Sequence, residues 1–136
     1  MDAADALEVL QSQHRCVLAT TRTDGHPQLS PVAGSALGGK VLVSSRETAF
    51  KVRNIRRHPY ASLCALGDAF WGEPWVQVEG PARIISLPEA MEGLVALYRT
   101  ISGEHPDWED YRSAMVREQR VLIEITVERA GPDRAG

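Results

Sequence analysis

The sequence predicts a mostly β fold, a small six-stranded antiparallel barrel flanked by about four short helices. Three observations carry that expectation. Six short runs are rich in β-branched and apolar residues, the clearest being Val121, Ile123, Ile125 and Val127 alternating in "RVLIEITVER". Tight turn signals such as Asp24-Gly25 separate neighbouring runs, which favours antiparallel pairing over long crossovers. Six strands that each bury one face tend to close on themselves.

Residues 2–12 place Ala6, Val9 and Leu10 at helical spacing and predict a first short helix. "RCVLATT" (15–21) is the first strand and "QLSPVAGS" the second. Pro31 has no N–H to give a ladder, so that strand lies at an edge or bulges there. "KVLVSS" (40–45) is the third strand. A short helix follows, with Thr48 as N-cap, Phe50, Val52 and Ile55 as apolar positions, and His58-Pro59 as its end. "YASLCALG" (60–67) and "WVQVEGPARIIS" (75–86) are strands four and five, the latter interrupted at Gly80-Pro81. Ser86, Pro88 and Glu89 open a helix carrying Met91, Leu94, Val95 and Tyr98 on one face. A further helix carries Trp108, Tyr111 and Met115, and the last strand runs over 120–129. The chain reads as one domain over 1–136, with its core at about 7–128 and a loose tail at 129–136.

The bulk numbers fit an ordinary globular domain: 136 residues, 43% hydrophobic, 24% charged, net charge −3. No apolar run nears the roughly 18 residues that a membrane-spanning helix needs. The acidic start "MDAADALEVLQ" lacks the pattern of a signal peptide, so a cytoplasmic location is expected. Cys16 and Cys64 lie in apolar strands and read as free buried thiols. The histidines and cysteines show no metal-ligand spacing, and no motif of a catalytic nucleophile is present, so neither a metal site nor a catalytic residue is assigned.

Against this acidic background one stretch stands out. Between Arg46 and Arg57 in "RETAFKVRNIRR" five cations face one acid, Glu47. The chain has 13 arginines but only two lysines, so Lys51 is distinctive; its ammonium suits a phosphate as a point charge. A strand leads through a short loop to a helix start, where backbone N–H groups and the helix dipole attract anions. Ser44, Ser45 and Thr48 add hydroxyls. The alternative is a solvated basic face. Nucleic-acid binding is disfavoured by a pI of about 5.8 and by the absence of aromatics among the cations. Two further features are an aromatic loop, Phe70, Trp71 and Trp75, able to pack or to stack on a flat ring, and Gln28 and Ser30 on one face of the second strand. A cofactor, rather than side chains, would carry any reaction.

The succession "VLATTRTDGHPQLSPV", "KVLVSS", "KVRNIRRHPYASL" and "WVQVEGPARI" resembles the pyridoxamine 5′-phosphate oxidase-like split β-barrel superfamily. The segment "LYRTISGEHPDWEDYRSAMVREQRVLIEI" resembles its actinobacterial branch of deazaflavin (F420)-dependent oxidoreductases. The resemblance covers roughly residues 7–128. It implies a homodimer with the cofactor at the subunit interface, and hydride transfer from reduced F420 to a small conjugated substrate. By the same resemblance Lys51 would meet the cofactor phosphate, with Ser44, Ser45 and Asn54 nearby and Arg46 or Arg53 as a compensating cation. Gln28, Ser30 and Val32 would line the ring; Trp75 and Gln77 would sit close to it, from the same chain or from the partner, and Trp108 and Tyr111 would support the rim. Where such relatives often carry Arg two residues before the Lys, this chain has Ala49. That departure keeps FMN open as the cofactor, and with it FMN-dependent reduction or a non-catalytic binding module. Neither a substrate nor a proton donor is assigned; Tyr98, Tyr111 or a water are the candidates for the latter.

Overall fold

The computed structural model describes residues 1–69 and 73–132. In chain order the elements are α1 (Ala3–Val9), β1 (Arg15–Thr21), β2 (Pro27–Leu37), β3 (Lys40–Arg46), α2 (Phe50–Arg57), β4 (Tyr60–Leu66), β5 (Val76–Ile85), α3 (Met91–Ser102), α4 (Trp108–Arg117), β6 (Arg120–Ile125) and β7 (Arg129–Gly131). Six strands close a barrel in the order β4-β1-β2-β3-β6-β5, with β5 returning to β4. Every pairing is antiparallel. β7 lies outside, paired to β5 through Gln77↔Gly131, Val78↔Ala130 and Glu79↔Arg129.

The alternation in the strands explains the closure. On β3, Val41 and Val43 point inward and are fully buried, as are Ile123 and Ile125 of β6. α1 adds Ala6 and Leu10 to this interior, and α2 adds Val52 and Ile55. Each fully buried aliphatic side chain contributes roughly 1.5–3 kcal/mol relative to its exposed state. The outer faces of β3 and β6 carry Leu42 and Leu122, and these bury against Leu94, Val95, Leu97 and Met115 of α3 and α4. The sheet is therefore apolar on both faces only where the helices cover it.

Several expectations need correction. The loose tail does not begin at 129, because Arg129–Gly131 form β7. The sixth strand ends at Ile125, where the chain turns across Gly80: Thr126 N donates to the Pro81 carbonyl and Glu128 N to the Glu79 carbonyl. A Cβ on Gly80 would meet the Thr126 oxygen at 1.8 Å, so glycine is required by close approach. Gly80-Pro81 does not interrupt β5 but marks where it changes partners, from β4 up to Pro81 to β6 from Ala82 onward. α2 starts at Phe50 with Ala49, not Thr48, as N-cap, and without a side-chain cap. Phe50 is 67% exposed; two residues from Val52, it lies about 200° around the helix from the buried face. α3 begins at Met91 rather than in the Ser86–Glu89 region, since the residue before Pro88 avoids the helical basin and the chain turns there first.

Candidate functional site

The barrel is split between β2 and β3. Only Gly34–Leu37 of β2 pair with β3, whereas Pro27–Ala33 pair with β1 alone. Pro31 falls in this one-sided half, as its missing N–H requires. β3 runs on through Ser44, Ser45 and Arg46 paired to β6 but with no β2 partner. α2 then packs beside the opening, in contact with β1 and β5.

Asn54 ties α2 to the split. It is buried, and its Nδ2 donates to Thr20 Oγ1 at 3.1 Å and to Gln28 Oε1 at 2.9 Å. Its Oδ1 accepts from Arg57 at 3.1 Å, and Arg57 also donates to the Thr21 carbonyl. Asn54 and Gln28 are thus placed together, and their amides are already engaged by one another. Beside them lies a groove of about 540 Å³ lined by Arg22, Thr23, Gln28, Phe50, Arg53, Asn54 and Arg57, with no acid among the lining residues. The spacing of Phe50, Arg53, Asn54 and Arg57, at i, i+3, i+4 and i+7, would have shown this face in the sequence. Thr20, Arg22 and Arg57 were not anticipated there.

The five cations of this stretch separate into two groups. Arg46 pairs with Glu118 at 3.3 Å, Arg56 with Glu47 at 2.8 Å, and Arg57 is held by backbone and Asn54. Arg53 stacks over the Phe50 ring at 5.6 Å. Among the described residues, neither Arg53 nor Lys51 has an acidic partner, and Lys51 also makes no hydrogen bond. Both belong to a helix whose first turn has no side-chain cap.

The two serines diverge, because successive strand residues face opposite sides. Ser45 shares the inward face with Val41 and Val43, is 3% exposed, and its Oγ finds no partner. Among the described residues it has no partner, and burying an unpaired hydroxyl costs roughly 1–3 kcal/mol. Ser44 faces outward with Leu42 and lines a second cavity, under α3 and α4. Gln28, Ser30 and Val32 share the half-buried face of β2, while Leu29 on the other face is 66% exposed.

Trp75 and Gln77 do not join this cluster within the chain. Gln77 is exposed on β5 in a small hollow with Glu79 and Arg129. β5 is separated from β2 by β4 and β1, three strand spacings or roughly 14 Å along the sheet. Trp75 precedes β5 and is partly exposed. The other members of the expected aromatic loop, Phe70 and Trp71, lie outside the described residues. Glu79 and Glu124 are structural: Glu124 pairs with Arg83 at 2.8 Å, and Glu79 accepts from Ser62 at 3.4 Å. Cys16 and Cys64 are free thiols; burial raises both, Cys16 to about 11, so neither is an activated nucleophile.

A closed barrel of six antiparallel strands, opened between β2 and β3 with a short helix at the opening, defines a split β-barrel protein. Residues 3–132 match the pyridoxamine 5′-phosphate oxidase family, and the chain belongs to it. Solved structures extend the likeness. A conserved hypothetical protein from Mycobacterium tuberculosis aligns with a TM-score of 0.78 and 24% identity, over 100% of this chain and 92% of that one. An F420 reductase aligns with a TM-score of 0.70 and 20% identity, over 91% and 94%. A heme storage protein from Vibrio cholerae aligns with a TM-score of 0.71 and 15% identity, over 94% and 92%. At these identities the likeness shows the fold. No helix among the described residues is long and apolar enough to cross a membrane.

Proposed function

We propose that the chain is a homodimeric oxidoreductase that uses reduced F420 to transfer hydride to a small conjugated electrophile. The observation that carries this reading is the set of unsatisfied groups at the split: Lys51 and Arg53 without acids, an uncapped α2, and the buried orphan Ser45 Oγ. Donors without a hydrogen-bond partner and cations without an acidic partner among the described residues fit a phosphate-bearing cofactor. Lys51 and the first-turn N–H groups of α2 would hold the phosphate, and the groove lined by Arg53 and Arg57 would take further anionic groups. Gln28, Ser30 and Val32 offer a half-buried face suited to a flat ring. When bound, the deazaflavin supplies the hydride; the protein's part is to fix the ring's orientation and exclude water.

The separation of Trp75 and Gln77 from this face favours a site completed by a second copy of the chain. Placing them against the same ring as Gln28 from one barrel would require spanning three strand spacings. FMN is the second reading for the cofactor, and Ala49 is what favours it: the position contributes no cation and no side-chain cap at the helix start. A binding module without turnover shares all of these contacts. Nucleic acid is disfavoured further, since Arg46, Arg56 and Arg57 are already engaged within the fold.

Titrating the cofactor-free protein in parallel with F420 and with FMN, followed by fluorescence, tests the reading. Tight binding of F420 alone supports it. Preference for FMN moves the chemistry to a flavin, and binding of neither overturns the assignment of a cofactor site.

A further inference from the structure

The second cavity has a different character from the split. It lies between α3, α4 and the outer face of β3, with a volume of about 470 Å³, within the range of small-molecule sites. Leu94, Leu97, Ile101 and Met115 give it apolar surface, and Tyr98, His105 and Tyr111 add three rings. These rings pack on one another at centroid distances of 5.0–5.5 Å.

The aromatic wall is braced from behind. Tyr111 donates its hydroxyl to the Leu94 carbonyl at 2.9 Å, tying α4 to α3, and burial raises its phenol above the ordinary value. Trp108 packs edge-on against Tyr98 and Tyr111 and donates Nε1 to Glu104 at 3.0 Å. Arg99 lies over the Trp108 ring at 4.9 Å and pairs with Glu104 at 2.7 Å. Such bracing orders the wall before any ligand arrives, which lowers the ordering cost of binding.

Besides the Ser44 and Ser102 hydroxyls and the Asp110 carboxylate, which also line the cavity without a side-chain partner among the described residues, two polar groups belong to the aromatic wall itself. Asp107 N donates to His105 Nδ1 at 2.9 Å, so in the neutral ring the proton sits on Nε2. That N–H, and the Tyr98 hydroxyl, have no partner among the described residues. Both are donors beside an apolar, aromatic recess.

We propose that this cavity is a binding site for a flat, largely apolar ring compound bearing a carbonyl. The ring packs against Tyr98, Tyr111 and the aliphatic residues, and the carbonyl oxygen accepts from His105 Nε2–H or Tyr98 O–H. The proposal does not rest on the cofactor reading: the cavity shares Ser44 and Tyr111 with the residues that the resemblance sets around the cofactor, but its hydrogen-bond donors, Tyr98 and His105, and its aliphatic wall are not among them.

The test uses the cofactor-free protein and a matched pair of probes, 1-tetralone and tetralin, which differ by one carbonyl. Amide ¹H–¹⁵N spectra locate binding and give both affinities. The expected result is that 1-tetralone shifts amides in α3, α4 and Ser44, with a Kd about fivefold below that of tetralin, the yield of one neutral hydrogen bond. Tyr98→Phe and His105→Phe together should abolish that preference. Ala33→Trp, at an exposed position lining the cavity, should block both probes without disturbing the core. Lys51→Ala should change neither. Absence of shifts, shifts confined to other regions, or equal affinity for the two probes would overturn the proposal. F420 and FMN binding are read in a separate titration, so that failure here and failure there are distinguishable.

Discussion

The barrel interior and the split beside it are built from the same strands, and they treat polar groups in opposite ways. At Val43 and Ile123, paired across β3 and β6, the inward face is aliphatic and fully buried. One step along the same β3 face, Ser45 is equally buried but carries a hydroxyl with nothing to bond. The interior is filled by its own side chains, whereas the split holds, among the described residues, a buried hydroxyl without a partner, a lysine without an acid and a helix without a side-chain cap. Folding alone explains the first region; the second is where the proposed cofactor would bind.

Substitutions can break this contrast, and the largest effect should come from the interior. Ile123→Ala should cost about 2–5 kcal/mol of unfolding free energy in urea, as other aliphatic-to-alanine changes in packed cores do. A loss below about 1 kcal/mol would mean that the barrel wall is not the stabilising region. Lys51→Ala should do the reverse, leaving stability within about 0.5 kcal/mol while weakening cofactor binding by about 1–3 kcal/mol. Cofactor affinity that does not respond to Lys51→Ala would remove it from the phosphate site.

Ser45→Ala sharpens the comparison because its two readouts should move in opposite directions. Removing an unsatisfied buried hydroxyl should raise cofactor-free stability by about 1 kcal/mol, while cofactor affinity falls. If stability falls instead, the hydroxyl has a partner in the folded chain.

The smallest effect at neutral pH concerns Cys16. Burial raises its thiol to about 11 from an ordinary value of 9.0, so the folded state holds this proton more tightly than the unfolded chain. That preference is intact below pH 9 and is lost as pH climbs from 9 through 11. An unfolding curve measured across this window should fall with pH, and the fall should be shallower in Cys16→Ala. At pH 7 to 8 the thiol should react slowly with iodoacetamide.

Much of the fold was legible because a period-two pattern survives wherever one face of a strand is buried, as in β1, β3 and β6. Legibility failed where long-range contacts set the outcome. Nothing local in "VEGPARI" distinguishes a broken strand from one that changes neighbours; the approach of Thr126 to Gly80 decides that. Phe50 looked like core by composition, but its helical phase relative to Val52 and Ile55 places it outside. For the candidate site, the opposed faces of Ser44 and Ser45 follow from strand parity. The contact of Asn54 with Thr20 and Gln28 joins residues 34 and 26 positions apart, and no local pattern carries it. Likewise the aromatic wall needs α3 and α4 to be set against each other before Tyr98 and His105 meet.

The one-sided half of β2 has a consequence for the protein in a crowded solution. An open strand edge offers a row of backbone donors and acceptors on which another chain can add, the first step of aggregation. Pro31 sits within that half and interrupts the row, because its nitrogen carries no hydrogen to share. Pro31 therefore guards the open edge against stray strands, and Pro31→Val should remain folded yet lose solubility at high concentration.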